Sequence, residues 1–323
     1  MKGISRKGRT CLISLIAAAV VIASLLQIDL VRQNIEIAWI QLTGSEWHLR
    51  GSSRTLMFWS PTLQQKRQLI IYLPPGYSDN ENSKMHYPVL YLLHGSPDSG
   101  NGWSRYGRAQ EVVDRLITVE QYPPMIVVMP DGNGQGALGD SEFINAPANQ
   151  KNGLPGLKIG TYITNDVVNW IDSNYRTVRT SRGRLIGGIS TGGYGAANLG
   201  LQNPAEFGTV MSFSGYYRAD PTGWARPVWG HHPSRAVLYS QSPQDFITPG
   251  TTKWADSMVI VGDGASDRLY YRHDTSLFYA RLVADNIKAA KYQYPGRHSW
   301  DLWRALLRTS LRTVRDRIPV SKT

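Results

Sequence analysis

Apolar and polar positions along the chain change period several times, and each change marks an element. Thr55-Leu-Met-Phe-Trp59 and Gln68-Leu-Ile-Ile-Tyr-Leu73 read as two antiparallel strands joined through Ser60–Gln65. Val89-Leu-Tyr-Leu-Leu93 is then apolar without alternation, the pattern of a strand covered on both faces. Further strands are predicted at Met125–Met129, Arg184–Ile189, Thr209–Phe213 and Met258–Val261, with a short one at Lys291–Tyr294. Helical periodicity falls between them, over Arg108–Val119, Thr161–Asn174, the stretch from Ser190 to Asn203, Ser276–Asn286, and from Trp300 onward. Strand and helix alternate throughout. This order predicts an α/β fold with a mostly parallel sheet, helices on both faces and an antiparallel N-terminal lead-in. Two long irregular stretches, Asp131–Ile159 and Tyr216–Ala255, follow the carboxyl ends of strands, the side on which open α/β sheets bind ligands.

The first residues obey another pattern. Lys2, Arg6, Lys7 and Arg9 precede an apolar run from Cys11 to Leu26, which reads as a signal peptide or an uncleaved membrane anchor. The expected organisation is therefore a signal peptide or membrane anchor at 1–30, a juxtamembrane linker at 31–52, one α/β domain at 53–318 and a tail at 319–323. An extracytoplasmic location follows, secreted or anchored. Cys11 is the single cysteine, so no intramolecular disulfide can form, and Gly8-Arg9-Thr10 lacks the character of a lipoprotein site.

Composition changes this picture little. The chain has 323 residues, 41% of them hydrophobic, enough for an ordinary core. Its net charge of +11 suggests nucleic acid until it is located. The N-terminal cluster supplies +4 and residues 304–323 supply +5, which leaves +2 between them. The body of the protein therefore has no basic face for DNA or RNA. The final helix carries Arg304, Arg308, Arg312 and Arg315 on one stripe. That stripe is a solvated face by default, and a membrane surface is the alternative partner.

The chemistry centres on Arg184-Leu-Ile-Gly-Gly-Ile-Ser-Thr-Gly-Gly-Tyr-Gly195, where an apolar strand stops at glycines and a small-residue helix begins. Gly188-Ile-Ser-Thr-Gly192 is a G-x-S-x-G pattern, a strand turning directly into a helix with Ser190 lifted at the tip. A serine hydroxyl needs a base to take its proton and a carboxylate to orient that base. In this fold the chain order is serine, acid, histidine. His48, His86 and His94 come too early, and His231, His232 and His273 lie in the long insertion or at a helix start. His298 falls between the last short strand and the last helix, where a base is required. The acid should follow the strand Met258–Val261. Asp263, Asp267 and Asp274 all qualify by position, with Asp267 preferred because the loop can turn before presenting it.

Two backbone amides should hold the developing oxyanion. One is that of Thr191, and the other is that of Ser96 in His94-Gly95-Ser96, with His94 read as structural. Trp103, Tyr216, Tyr217, Trp224, Trp229 and Trp300 fall in loops expected near the site. Of these, Trp103, Tyr216 and Trp300 are the candidate substrate contacts. Asp131–Gly136 lacks the Lys-Ser/Thr of a phosphate loop, and His231-His232 has no companion ligand at metal spacing. No metal or other cofactor is expected.

Taken together, Tyr72–Tyr77, Tyr87–Gly95, Met129–Asn133, Gly188–Gly195, Phe213–Tyr216 and His298–Trp303 make the chain resemble the esterase-D/antigen 85 group of α/β hydrolases, from about Ser53 to Leu311. The resemblance implies acyl hydrolysis or transfer, with Ser190 as nucleophile, His298 as base and the Ser96 and Thr191 amides as oxyanion hole. Thr191 stands where many members have methionine, which leaves the amide donor in place. Mycolyltransferases of the group use a glutamate as the acid, and this chain has no glutamate after Glu206. The expected function is a serine carboxylesterase acting on a small-molecule or lipid-like ester. An acyltransferase and a non-catalytic relative are the alternatives.

Overall fold

The computed structural model describes residues 50–134, 139–146, 156–222, 226–229, 232–319 and 321–322. The segment expected to direct export, nearly all of the expected linker, and Trp224 and His231 lie outside the described residues. Among the described residues no helix is long and apolar enough to cross a membrane.

The unit from Gly51 onward is built on a sheet that has, among the described residues, eight strands. β1 (Ser52–Ser60) and β2 (Gln65–Leu73) form the antiparallel hairpin. A two-residue strand β3 (Met85–His86) is followed by β4 (Val89–Leu93), β5 (Ile126–Pro130), β6 (Arg184–Ile189), β7 (Thr209–Phe213), β8 (Met258–Gly264) and β9 (Lys288–Tyr294). The order across the sheet is β1-β2-β5-β4-β6-β7-β8-β9, and every pair from β5 to β9 is parallel. Each residue of β4 is buried, and so is each of β6 and β7, as the unbroken apolar runs predict.

Successive β4 residues serve opposite cores. Val89, Tyr91 and Leu93 join one cluster with Ile171 of α2 (Val168–Asn174), Ala196 of α3 (Thr191–Gln202) and Phe278 of α4 (Leu269–Ala284). Leu90 and Leu92 join the other with Val113 and Leu116 of α1 (Ala109–Glu120) and Leu307 of α5 (Trp300–Val314). Two-sided cover thus explains why the central strands show no alternation. Across the first face, buried Arg184 pairs with Asp172 at 2.5 Å and with Glu206 at 2.9 Å.

The structure departs from the expected elements in places. α4 begins at Leu269 rather than near Ser276, because its first turns are exposed and carry no apolar stripe; Leu269 is 71% exposed. β9 begins at Lys288, three residues before the expected start, and its half-exposed edge hides that beginning from pattern reading. The irregular stretch after Tyr216 contains the short helices Arg226–Trp229, Arg235–Ser240 and Pro243–Phe246. Within the expected tail, β10 (Ser321–Lys322) pairs with Met85–His86.

The arginine stripe of α5 is engaged within the domain. Arg312 makes two hydrogen bonds to Glu120 at 2.7 and 2.6 Å, Arg315 donates to the Gln121 carbonyl at 2.9 Å, and Arg304 donates to the Tyr106 carbonyl at 2.7 Å. Arg308 has a partner as well. The stripe fastens α5 to the end of α1 and the loop before it.

Candidate active site

β6 ends at Ile189, and the chain enters α3 without a connecting loop. Ser190 takes φ 52° and ψ −120°, a region that non-glycine residues seldom adopt and that costs about 1–3 kcal/mol. The flanking glycines make the turn possible. A Cβ on Gly188 would lie 2.1 Å from the Gly192 carbonyl oxygen, and one on Gly192 would lie 2.2 Å from that of His94. Only hydrogen fits at either position. The Ser190 amide donates to Phe213 O on β7 at 2.9 Å, and its carbonyl accepts from Tyr194, so the turn is anchored on both sides. Thr191 and Gly192 open α3, where backbone N–H groups have no intrahelical acceptor and the dipole favours negative charge.

His298 and Asp267 meet after the ends of β9 and β8. The His298 Nδ1 lies 3.0 Å from Asp267 Oδ1 and 3.2 Å from Oδ2. A carboxylate acceptor makes Nδ1 the protonated nitrogen and leaves Nε2 as the basic one. The Asp267 side chain is wholly buried while that of His298 is 27% exposed. Burial alone would raise the Asp267 pKa, but hydrogen bonds from His298 and Ser214 outweigh it and hold the carboxyl below its usual range. The other two aspartates have different surroundings. Asp263 accepts from Gln293 at 2.7 Å and is raised by burial. Asp274, also raised by burial, lies 3.8 Å from the exposed His273.

Ser214, Trp303 and Tyr271 complete this corner, and the sequence reading had given none of them a role. Ser214 has φ 49°, its amide donates to Gly262 O at 2.7 Å, and its hydroxyl bonds Asp267. The Trp303 indole donates to the Ser214 hydroxyl at 3.1 Å and meets the His298 ring edge to face at 4.8 Å. Tyr271 stacks on the same imidazole at 4.6 Å. Aromatic rings thereby fix the plane that Asp267 fixes at one atom. A serine one residue past the end of a buried strand gives no hint of this in sequence.

The loop after β4 lies against the turn: a Cβ on Gly95 would fall 3.3 Å from the Ser190 Cβ. His94 accepts from the Gly132 amide through Nε2 at 3.1 Å, and its Nδ1 lies 3.0 Å from Gly95 O. An amide donor at Nε2 requires the neutral ring, in agreement with a pKa lowered by burial, so the 3.8 Å approach of Asp131 is not an ion pair. His94 therefore organises the loop. Ser96 is exposed, and its hydroxyl lies near enough to Asp140 to favour the ionised carboxylate there.

The aromatic residues divide by exposure. Trp103 is fully buried, donating to Leu93 O at 2.8 Å, and sits edge to face with the half-buried Trp300 at 5.4 Å. Tyr216 is 5% exposed and stacks on Tyr194. Tyr217 stacks on Phe278 at 4.0 Å in the core, and Trp229 is buried. Of the three candidate contacts, Trp300 thus has the most surface to offer.

Comparison with known proteins agrees with this architecture. A family model described as "Putative esterase" matches residues 60–314. An uncharacterised protein of Corynebacterium glutamicum is 29% identical over 75% of this chain and 55% of its own length. An endo-1,4-beta-xylanase/feruloyl esterase of Xylanibacter ruminicola is 28% identical over 51% of this chain and 22% of its own. The chain thus spans about half or less of the curated relatives it matches. Among solved structures, a ferulic acid esterase superposes with a TM-score of 0.70 at 24% identity, over 84% of this chain and 99% of that one. An S-formylglutathione hydrolase from Agrobacterium tumefaciens gives 0.69 at 17% identity, over 84% and 97%. The fold is that of the α/β hydrolases, and with the family model covering well over half of its length, the chain belongs to the esterase family.

Proposed function

We propose that the protein is a serine carboxylesterase that cleaves small esters through Ser190, His298 and Asp267. The observation that carries this reading is the backbone of Ser190, held at φ 52° between glycines that admit no side chain, beside a loop whose Gly95 touches it. Strain of this kind persists only where the surrounding structure enforces it. The buried Asp267 bonded to His298 Nδ1 supplies the oriented base.

In the proposed reaction Nε2 of His298 takes the Ser190 hydroxyl proton as Oγ attacks the ester carbonyl. The Asp267 carboxylate stabilises the imidazolium that results and remains ionised itself. The tetrahedral oxyanion is received by the Thr191 and Ser96 amides, each worth about 3 kcal/mol of transition-state stabilisation in comparable enzymes. The carbon–oxygen bond to the alcohol then breaks, the alcohol leaves with the proton from His298, and an acyl-serine remains. Water repeats the sequence and releases the acid. Trp300 and Tyr271 offer aromatic surface to an aryl or acyl group. The basic and apolar pattern up to Leu26 supports export, secreted or membrane-anchored, as the setting.

Turnover of a short p-nitrophenyl ester by the purified chain tests the proposal. Hydrolysis that Ser190→Ala abolishes supports it. A folded protein with no turnover of short, medium or aryl esters favours a binding role for the same cleft.

A further inference from the structure

Glu142 is 0% exposed and sits on left-handed backbone, with φ 52° both there and at Phe143. Its Oε2 accepts from the Tyr216 hydroxyl, and its Oε1 is buried without a hydrogen-bond partner. Tyr216 lies two residues beyond Ser214 and stacks on Tyr194 of α3 at 4.8 Å. In the other direction the Glu142 amide donates to Asp140 Oδ1 at 2.8 Å. Between them the Ser141 hydroxyl donates to Gly132 O at 2.5 Å, and the Gly132 amide donates to His94. Glu142 and Ser141 therefore join the loop after β7 to the loop after β4, through Tyr216 on one side and Gly132 and His94 on the other.

A buried carboxylate with one hydrogen bond is poorly compensated, so this place favours the neutral acid. Burial, and next the charge of Asp140, push the Glu142 pKa up to about 8, against the opposing bond from Tyr216. The ionisable groups facing it are Asp140, Asp220, Tyr216 and Tyr194, with His94 beyond Asp140. None of them is a cation at neutral pH.

We propose that Glu142 is a positioning residue of the site: as a neutral carboxylic acid it locks the Tyr216 loop to the loop bearing Ser96, and loss of its proton to solvent unlocks them. The activity arm of the test rests on the esterase reading, and the exchange arm does not. On a p-nitrophenyl ester, corrected for background hydrolysis, wild-type kcat/KM should fall at least fivefold between pH 7 and 9. Glu142→Gln, a neutral isostere, should stay within twofold of wild type at pH 7 and lose that alkaline fall. Glu142→Ala should lose at least tenfold at every pH. At pH 7, hydrogen exchange should quicken in Glu142→Ala at both 93–99 and 213–219 and stay unchanged in Glu142→Gln. An alkaline fall identical in wild type and Glu142→Gln would overturn the proposal, and so would faster exchange confined to 139–146. If no variant turns over ester, the esterase reading fails, and the exchange pattern alone decides for or against the lock.

Discussion

Gly188 and Gly192 face each other across the turn at Ser190 so closely that a methyl group on the first would lie 2.1 Å from the carbonyl oxygen of the second. The opposing atom is backbone and cannot rotate away. Gly188→Ala is therefore expected to destabilise the domain by about 1–3 kcal/mol or more, as other overpacked cores do. Urea unfolding checks this, and an unchanged midpoint would mean that the turn is looser than described.

The bond between Asp267 and His298 fixes which imidazole nitrogen is basic. Asp267→Asn should leave the fold intact and lower kcat by about 10³–10⁴-fold, because the carboxamide can favour the wrong tautomer. Circular dichroism beside ester kinetics separates this from unfolding.

The same carboxyl sets a pH dependence of stability. Its folded pKa lies below the unfolded one, so its contribution is present above the ordinary aspartate range and is lost as pH falls through that range and below it. Thermal melts of wild type should drop on acidification more steeply than those of Asp267→Asn. Parallel acid limbs would contradict the depressed pKa.

Ser214 joins Asp267 to the packing of His298. Ser214→Ala strips Asp267 of one hydrogen bond and leaves the buried Trp303 indole unpaired, at a cost of about 1–3 kcal/mol. Turnover is expected to fall by a smaller factor than in Asp267→Asn, with the affinity for substrate little changed. A purely structural role would reduce stability without touching kcat.

Arg184 offers the opposite control. Removing it by Arg184→Ala leaves Asp172 and Glu206 without their shared partner beneath the sheet, which is expected to cost about 3–5 kcal/mol. The folded fraction should retain its kcat.

The parallel strands and the turn at Ser190 were legible because burial on two faces, and glycines at fixed offsets, leave marks on residue type. Val89–Leu93 could be little else than a central strand, and Gly188 and Gly192 announce a turn too tight for side chains. The serine-acid-histidine order removed three of seven histidines and the place of His298 between the last strand and the last helix favoured it over the other four, but position left Asp263, Asp267 and Asp274 open. Their separation depends on where the loop after β8 aims each carboxyl. Ser214 was missed because its left-handed backbone is imposed by neighbouring loops rather than by its own chemistry. Glu142 was missed for the same reason, and the start of α4 because exposed Leu269 and Tyr270 break the helical stripe. The pairing of Ser321–Lys322 with Met85–His86 joins two-residue segments too short to carry any period.

The account depends most on the Ser190 hydroxyl being an activated nucleophile, and that can be measured by mass spectrometry after treating the folded full chain with a fluorophosphonate probe. A single adduct on Ser190, absent from Ser190→Ala and strongly slowed in His298→Ala, is the predicted result. A folded chain that stays unlabelled, or that is labelled equally fast without His298, would contradict it.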